Sequence, residues 1–213
     1  MIKQFIFNHF QENTYILYDK SKQCVIIDAG CDTKEEKEEL FSFIDNNNLQ
    51  LQKILLTHAH IDHFCGAADT ARRYNSPVCL NAEGKKIFDI FTLQAKGMDF
   101  QTVDMTGVNF EYINYGDKII FGDNYVLQTI IASGHCPGSI AYYSVQDNAV
   151  FAGDAVFRLS IGRTDLFGGD SDELMRNINN NIMTLPLDTQ ILCGHGPATD
   201  VYFEKSNNPY LIM

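Results

Sequence analysis

The sequence Thr57-His58-Ala59-His60-Ile61-Asp62-His63 places three histidines and an aspartate within six consecutive positions. It follows residues 53–56, an apolar run that predicts a buried strand, and precedes residues 64–74, which predict a helix. Side chains at the carboxyl end of a core strand are held rigidly and face an open cleft. Because imidazole is a common zinc ligand and a carboxylate suits a harder ion, the run predicts a metal site.

The elements predicted around this run alternate between strand and helix. Strands are predicted at residues 14–18, 24–27, 77–80, 118–121, 125–131, 140–145, 149–152 and 190–193, and helices at 34–46, 83–91 and 171–183. Residues 94–108 have weak periodicity and predict a flexible flap over the cleft. This order is typical of an α/β layered domain, in which two mixed sheets are flanked by helices, and we expect residues 1–213 to form one such domain.

Composition excludes several classes of function. The chain has 16 basic and 27 acidic residues and a formal net charge of -11, which opposes broad nucleic-acid binding. The N-terminus has no signal-peptide pattern, and no apolar run is long enough for a membrane span. None of the six cysteines forms a C-x-x-C pair, which favours a soluble protein of the reducing cytoplasm.

Three further motifs place a histidine or an aspartate in a glycine-containing turn after a predicted strand. They are Gly134-His135-Cys136-Pro137-Gly138-Ser139, Gly153-Asp154-Ala155 and Gly194-His195-Gly196-Pro197. Each motif alone is compatible with ordinary turn chemistry. Together with the first histidine run, the three predict side chains that converge on one edge of the fold.

The four motifs together resemble those of the metallo-β-lactamase superfamily. The resemblance begins with Glu12-Asn13-Thr14-Tyr15 and Ile26-Ile27-Asp28-Ala29-Gly30 and covers essentially the whole chain. Ser160-Ile161-Gly162-Arg163-Thr164-Asp165 makes the chain most similar to short single-domain hydrolases related to type-II glyoxalase, hydroxyacylglutathione hydrolase. The resemblance implies an αββα sandwich with its metal ions at the edge between the two sheets.

The resemblance also implies a ligand set, carried over position by position. His58, His60 and His135 would bind a first metal, Asp62, His63 and His195 a second, and Asp154 would bridge both. Two divalent ions are implied, with zinc expected first and iron or manganese as alternatives. Asp28 and Thr57 are expected to brace the ligands, whereas His9 matches no ligand position.

The activity implied is that of a metal-dependent thioesterase of the hydroxyacylglutathione hydrolase type, in which a metal-bridging hydroxide attacks the thioester carbonyl. Asp62 and Asp154 are the expected catalytic carboxylates. A thiolate, with a parent pKa of roughly 8.5, leaves with little help from an acid, which favours a small thioester or ester over an amide. Arg163 stands where the relatives place a basic residue that contacts glutathione, although a pair with Asp165 is the alternative. Tyr143 is a second candidate substrate contact, with core packing as its alternative.

Other members of the superfamily offer competing functions. A persulfide dioxygenase shares the G-R-T-D motif and uses one iron bound at the counterparts of His58, His135 and Asp154, but the ending around His195 fits the short hydrolases better. A β-lactamase fits less well because of Asp154 and G-R-T-D, and the net charge opposes a tRNA nuclease. A metal-stabilised scaffold would predict closed coordination. Full-length glyoxalases carry a helical C-terminal domain, of which residues 200–213 show no counterpart, so we expect thiols other than glutathione as well.

Overall fold

Two six-stranded mixed sheets form the centre of the protein, of which the computed structural model describes residues 1–101 and 103–211. The first sheet contains β1 (Ile2–Phe7), β2 (Glu12–Tyr18), β3 (Gln23–Ile27), β4 (Gln50–Leu55), β5 (Val78–Leu80) and β6 (Phe110–Tyr112), in that spatial order. Its first three strands are antiparallel, and β3 to β6 run parallel to one another. The parallel strands therefore release their carboxyl ends at the same edge of the sheet.

The second sheet follows in the chain. Its strands and the short hairpin beside it are β7 (Lys118–Phe121), β8 (Tyr125–Ile131), β9 (Ile140–Ser144), β10 (Ala149–Gly153), the hairpin β11 (Val156–Phe157) and β12 (Ser160–Ile161), β13 (Gln190–Cys193) and β14 (Thr199–Asp200). The spatial order is β14-β13-β10-β9-β8-β7. Strands β10 and β13 are parallel, so the residues that follow them emerge side by side.

Helices cover the outer faces of the two sheets. They are α1 (Lys34–Asn46), α2 (Ile61–Phe64), α3 (Ala67–Tyr74), α4 (Lys85–Phe88), α5 (Phe91–Gly97), α6 (Ser171–Asn177) and α7 (Val201–Asn207). A capping box between Thr33 and Glu36 starts α1. In the part of the chain that is described, no helix combines the length and the apolar character needed to cross a bilayer.

Alternation along the strands divides the core into three layers. On β2 to β4, Ile16, Ile26 and Ile54 pack on the helical side of the first sheet. Their neighbours, which include Leu17 and Leu55, pack between the two sheets against Tyr142 and Phe151. Residues of β10 and β13 such as Val150 and Ile191 pack against Leu174 and Ile178 on the other side. The result is the αββα sandwich that the sequence predicts.

The prediction of one helix over residues 64–74 was wrong. Helix α2 begins earlier, at Ile61, and α3 begins only at Ala67. The interruption has a physical cause, because the backbone N–H of Gly66 donates to Ala29 O at 2.8 Å instead of continuing the helix. A Cβ on Gly66 would also collide with Cys31 Sγ. The early start places Asp62 and His63 on a helical turn rather than in a loop.

Other boundaries differ from the predicted ones as well. The helix predicted at 83–91 is a 3₁₀ turn followed by α4, and the predicted flap begins inside α5. Within that flap, Thr102 lies outside the described residues. The helix predicted at 171–183 is α6 followed by a π-helical turn, Ile178–Ile182. Strands β1 and β6 and helix α7 were not predicted.

Candidate metal centre

The seven predicted ligand residues meet at one edge of the sandwich. His58 and His60 lie in the loop after β4, and Asp62 and His63 in α2, which continues that loop. The other three follow strands of the second sheet, namely His135 after β8, Asp154 after β10 and His195 after β13. The convergence follows from topology, because β4 belongs to the parallel part of its sheet and β10 is parallel to β13.

The side chains form two groups of donors. The ligand atoms of His58, His60 and His135 lie within 4.8 Å of one another, and so do those of Asp62, His63 and His195. In the first group, His135 Nε2 is 2.9 Å from His60 Nδ1. In the second, His195 Nε2 is 3.2 Å from Asp62 Oδ2.

Asp154 lies between the two groups. Its Oδ1 is 3.3 Å from His63 Nε2, and its Oδ2 is 3.6 Å from both His135 Nε2 and His195 Nε2. One carboxylate therefore faces donors of both groups. This is the placement expected of a residue that bridges two ions.

The chemistry of these donors fits divalent cations. His58 Nε2 and Asp154 Oδ1 are buried and have no hydrogen-bond partner among the described residues. His63 Nε2 and His195 Nε2 lie 3.3 Å apart, so two nitrogens face each other. Buried polar atoms are costly when they are unsatisfied, and a cation would satisfy several of these atoms at once. Imidazole nitrogens with one or two carboxylates suit zinc and similar transition metals.

Outer hydrogen bonds fix the orientation of most of the imidazoles. His63 Nδ1 donates to Asp28 Oδ2 at 2.9 Å, and His58 Nδ1 lies 3.0 Å from Thr57 Oγ1. Backbone carbonyls perform the same role for the other two, because His135 Nδ1 donates to Arg163 O at 2.7 Å and His195 Nδ1 to Phe10 O at 3.0 Å. Such bonds leave Nε2 available for a metal.

Asp28 and Thr57 brace one another as well as the ligands. Asp28 accepts hydrogen bonds from the Thr57 backbone N–H and from its hydroxyl, both at 2.7 Å. Asp28 has a φ of 53°, in the left-handed region that aspartate tolerates better than most residues. The bracing role expected from the sequence is therefore visible as hydrogen bonds.

The electrostatic state of the cluster favours added positive charge. Burial lowers the pKa of His58 well below its usual value and that of His60 to about 4. At His63 burial is outweighed by Asp154, Asp62 and Asp28, which together raise its pKa well above the usual value. Without a metal, His63 therefore keeps a proton at neutral pH, and a bound cation would replace that proton.

Glu12 is a buried carboxyl that the sequence reasoning did not assign to the site. Its Oε2 accepts a hydrogen bond from Thr14 Oγ1 at 2.7 Å, and its Oε1 is 4.0 Å from His63 Nδ1. Burial raises the pKa of Glu12 well above its usual value. The available signal was a glutamate at the first position of a strand that is otherwise rich in buried residues. The Glu12 carboxyl lies close to both His63 and Asp28.

The two predicted substrate contacts are placed differently. The guanidinium of Arg163 binds Asp165 through two hydrogen bonds, of 2.7 and 2.8 Å, and both side chains are largely exposed. The alternative pairing is thus present, on a residue whose carbonyl contacts His135.

Tyr143 packs on the helical side of the second sheet and pairs with Val150. Val150 lies four residues before Asp154, or about 13 Å along the strand. Tyr143 is therefore not brought to the cluster, because strand alternation turns it toward the outer core. The sixth histidine, His9, is hydrogen-bonded to Met98 O and stands outside the ligand groups, as expected.

Gly194 is required by the packing of the ligands. A Cβ at this position would collide with Asp154 Oδ1 and lie 2.8 Å from His63 Cε1. We expect Gly194→Ala to displace both ligands and to lower metal content, with a loss of about 100-fold in turnover if a ligand moves by 1 Å. Elemental analysis and kinetics measure both. Gly97→Ala is the matched control, since nothing lies within 4 Å of its added methyl group. Unchanged metal content in Gly194→Ala would contradict this account of the glycine.

Known proteins match this chain over most of its length. A family model described as the metallo-β-lactamase superfamily matches residues 8–195. A probable metallo-hydrolase, YqgX of Bacillus subtilis, is 37% identical over 202 residues, covering 94% of this chain and 92% of the relative. Hydroxyacylglutathione hydrolase GloC of Haemophilus influenzae is 30% identical over 203 residues, covering 95% and 93%.

Solved structures resemble the whole fold. TTHA1623 in a di-iron-bound form has a TM-score of 0.86 and 30% identity, covering 98% of this chain and 100% of the other. The B3 metallo-β-lactamase BLEG-1 has a TM-score of 0.85 and 32% identity and covers all of both chains. The family match covers all seven converging residues, from His58 to His195, and the resemblance noted in the sequence is confirmed. The chain belongs to the metallo-β-lactamase superfamily.

Proposed function

We propose that this metallo-hydrolase is a thioesterase of the hydroxyacylglutathione hydrolase type, acting on small thioesters. The observation that carries the proposal is the pair of donor groups that share Asp154. His58, His60 and His135 would hold one divalent ion, and Asp62, His63 and His195 the other. The similarity to GloC over nearly the whole chain supports the substrate class.

The ions would supply the reactive chemistry. Two bound divalent ions, with zinc proposed first, lower the pKa of water towards 7 and polarise a carbonyl oxygen. The seven side chains contribute two carboxylates and five imidazoles, about −2 in charge, so the loaded centre remains cationic. This suits the hydrolysis of a carbonyl compound that develops negative charge.

The ionised state of Asp62 supports a thiolate as the leaving group. In the metal-free protein, burial acts to raise the pKa of Asp62, but the charge of His63 and the hydrogen bond from His195 outweigh it, so the pKa is lowered. A bound cation in place of the His63 proton would favour the ionised carboxylate in the same way. Asp62 therefore has no proton to donate at neutral pH. A thiolate departs without such a proton, whereas an amine does not.

No cysteine is needed as the nucleophile. Cys136 adjoins the ligand His135, but burial raises the pKa of its thiol to about 11. A thiol of that pKa is inert at neutral pH. All six cysteines are buried free thiols, which supports our further proposal that the protein works in the reducing cytoplasm. The net charge of -11 supports a small molecule, rather than a nucleic acid, as its partner.

A substrate panel on metal-loaded protein tests the proposal. Metal content is measured by elemental analysis, and S-lactoylglutathione, a thioester of another thiol, the matching amide and a β-lactam are compared. We expect about two metals per chain and cleavage of at least one thioester in preference to the amide and the β-lactam. Two metals with no thioester turnover would refute the thioesterase. A single iron with oxygen uptake on a persulfide would replace it by the dioxygenase.

Arg163 is proposed to attract an anionic group of the substrate. We expect Arg163→Ala to raise KM for S-lactoylglutathione about tenfold with a much smaller change in kcat, because one charge-assisted contact is lost in ground and transition states alike. Asp165→Ala should lower KM, since it releases the Arg163 guanidinium from its ion pair. Arg158→Ala, whose guanidinium lies over Phe203, is the control. An unchanged KM in Arg163→Ala would contradict a role in substrate binding, and the pair with Asp165 would then be the only interaction of the side chain within the described residues.

A further inference from the structure

The side chain of Gln94 makes three hydrogen bonds beside the metal centre. Its Nε2 donates to Ala59 O at 3.1 Å and to Ile87 O at 2.8 Å, and its Oε1 accepts from the Ile61 N–H at 3.0 Å. Ala59 and Ile61 are the two neighbours of His60 in the chain. One amide from α5 therefore holds the backbone on both sides of a ligand.

The backbone around His60 depends on this contact. The residues between β4 and α2 have left the sheet, so their backbone groups need other partners. His60 begins α2 as its N-terminal capping residue, but its side chain makes no capping bond within the described chain. Gln94 Oε1 accepts from the first N–H of α2 instead. The imidazole of His60 therefore faces His135 and makes no capping hydrogen bond in the part of the chain that is described.

The segment that carries Gln94 also reaches the other half of the centre. Met98 O is 2.9 Å from His9 Nε2, and the ring of Phe100 stacks on that of Phe10 at 5.7 Å. Phe10 in turn accepts the hydrogen bond from His195 Nδ1 through its carbonyl. One short segment therefore contacts the loop of His60 directly and the turn that supports His195.

Packing in α5 separates these roles from the core. Ala95 is the buried residue of the helix, whereas Gln94 is partly exposed and Leu93 and Lys96 of the same helix are exposed. A change at Gln94 therefore removes hydrogen bonds without opening a cavity in the apolar layers. The contact requires a donor and an acceptor on one side chain, which glutamine supplies and methionine of similar shape does not.

We propose that Gln94 is a positioning residue that aligns His60 with His58 and His135, and so sets the metal affinity of that group. The proposal rests on the two-ion centre of the proposed function, but not on its substrate. Losing an outer partner of a metal ligand commonly lowers affinity by about 10- to 100-fold. The loss should fall mainly on the first donor group, because Gln94 bonds the residues on both sides of His60, and Ala59 also adjoins His58. Of the second group, only Asp62 adjoins a bonded residue, Ile61.

Titration of the metal-free protein with cobalt, read by visible absorption and calorimetry, tests the proposal. Gln94→Met removes all three hydrogen bonds, and Gln94→Glu keeps only the acceptor for Ile61. The binding step lost in His60→Ala identifies the first group, and the step lost in His195→Ala identifies the second. We expect Gln94→Met to weaken the first step at least about tenfold, Gln94→Glu to weaken it less, and both to leave the second step within about twofold. Lys96→Ala on the same helix should match the wild type.

Each outcome of the titration supports or overturns the proposed role of Gln94. Wild-type affinity at the first step in a folded Gln94→Met protein overturns the proposal, and so does equal weakening of both steps, which indicates general loosening. Circular dichroism checks folding, and if Gln94→Met is unfolded, the same comparison is made with Gln94→Glu. Thioester turnover is a separate readout. Its absence in the wild type would refute the proposed substrate while the cobalt ranking still tested Gln94.

Discussion

Replacing Asp154 by alanine is expected to reduce metal content and kcat/KM together, with kcat/KM falling by more than about 100-fold, the upper range for losing an outer partner of a ligand. The carboxylate is buried and faces donors of both groups, at 3.3 Å from His63 and 3.6 Å from His135 and His195. In the proposed two-ion centre, its loss would leave each ion one ligand short. It also removes a negative charge that helps to neutralise two cations.

Two further variants sharpen this experiment. Asp154→Asn keeps the size of the side chain and removes its charge, so it separates packing from coordination. Asp123→Ala removes an exposed carboxylate remote from the ligand groups and should leave metal content and turnover unchanged. Elemental analysis and steady-state kinetics are run on all three. Full activity in a pure Asp154→Ala preparation would refute the two-ion centre.

Loading the metal-free protein with zinc is expected to raise its melting temperature by about 8–16 °C. A ligand that binds only the native state at 1,000 times its Kd adds about 4.1 kcal/mol to the free energy of unfolding. For a domain of this size each kcal/mol corresponds to about 2–4 °C. The structural source is the set of buried donors, including His58 Nε2 and Asp154 Oδ1, that have no other partner among the described residues.

The zinc effect should depend on pH in a defined direction. Because the pKa of His63 is raised, the metal-free protein carries a proton that zinc must displace. The shift in melting temperature at fixed zinc should therefore grow as pH rises and shrink as it falls. Magnesium, which prefers oxygen ligands, is the control ion and should shift the melting temperature little. An equal shift with magnesium would contradict a site built from imidazoles.

The convergence of the seven predicted ligand residues was the most predictable feature of the molecule. A strand followed by histidines places them at a sheet edge, and the turns around His135, Asp154 and His195 follow strands whose carboxyl ends meet there. Apolar runs are enough to identify such strands. The gathering of side chains from four separate segments then follows from the parallel pairing of β10 and β13 and of β3 and β4.

What escaped prediction depends on contacts between distant segments. The break between α2 and α3 comes from a hydrogen bond between Gly66 and Ala29, and the single glycine is only a weak local signal for it. Gln94 contacts residues 33 and 35 positions away in sequence, inside a segment of weak periodicity. The sequence left Tyr143 open between substrate contact and core packing, because the packing of the two sheets decides which face of β9 turns inward. The sequence predicts which candidate ligands converge, but not which distant side chains hold them in place.

The main chain and the side chain of Arg163 make different interactions. Its main-chain oxygen orients His135, while its side chain extends into solvent and pairs with Asp165. Every amino acid has a main-chain oxygen, so a change of side chain at 163 leaves that hydrogen bond available. If the guanidinium binds substrate as proposed, replacing it would change substrate preference and leave the hydrogen bond to His135 in place.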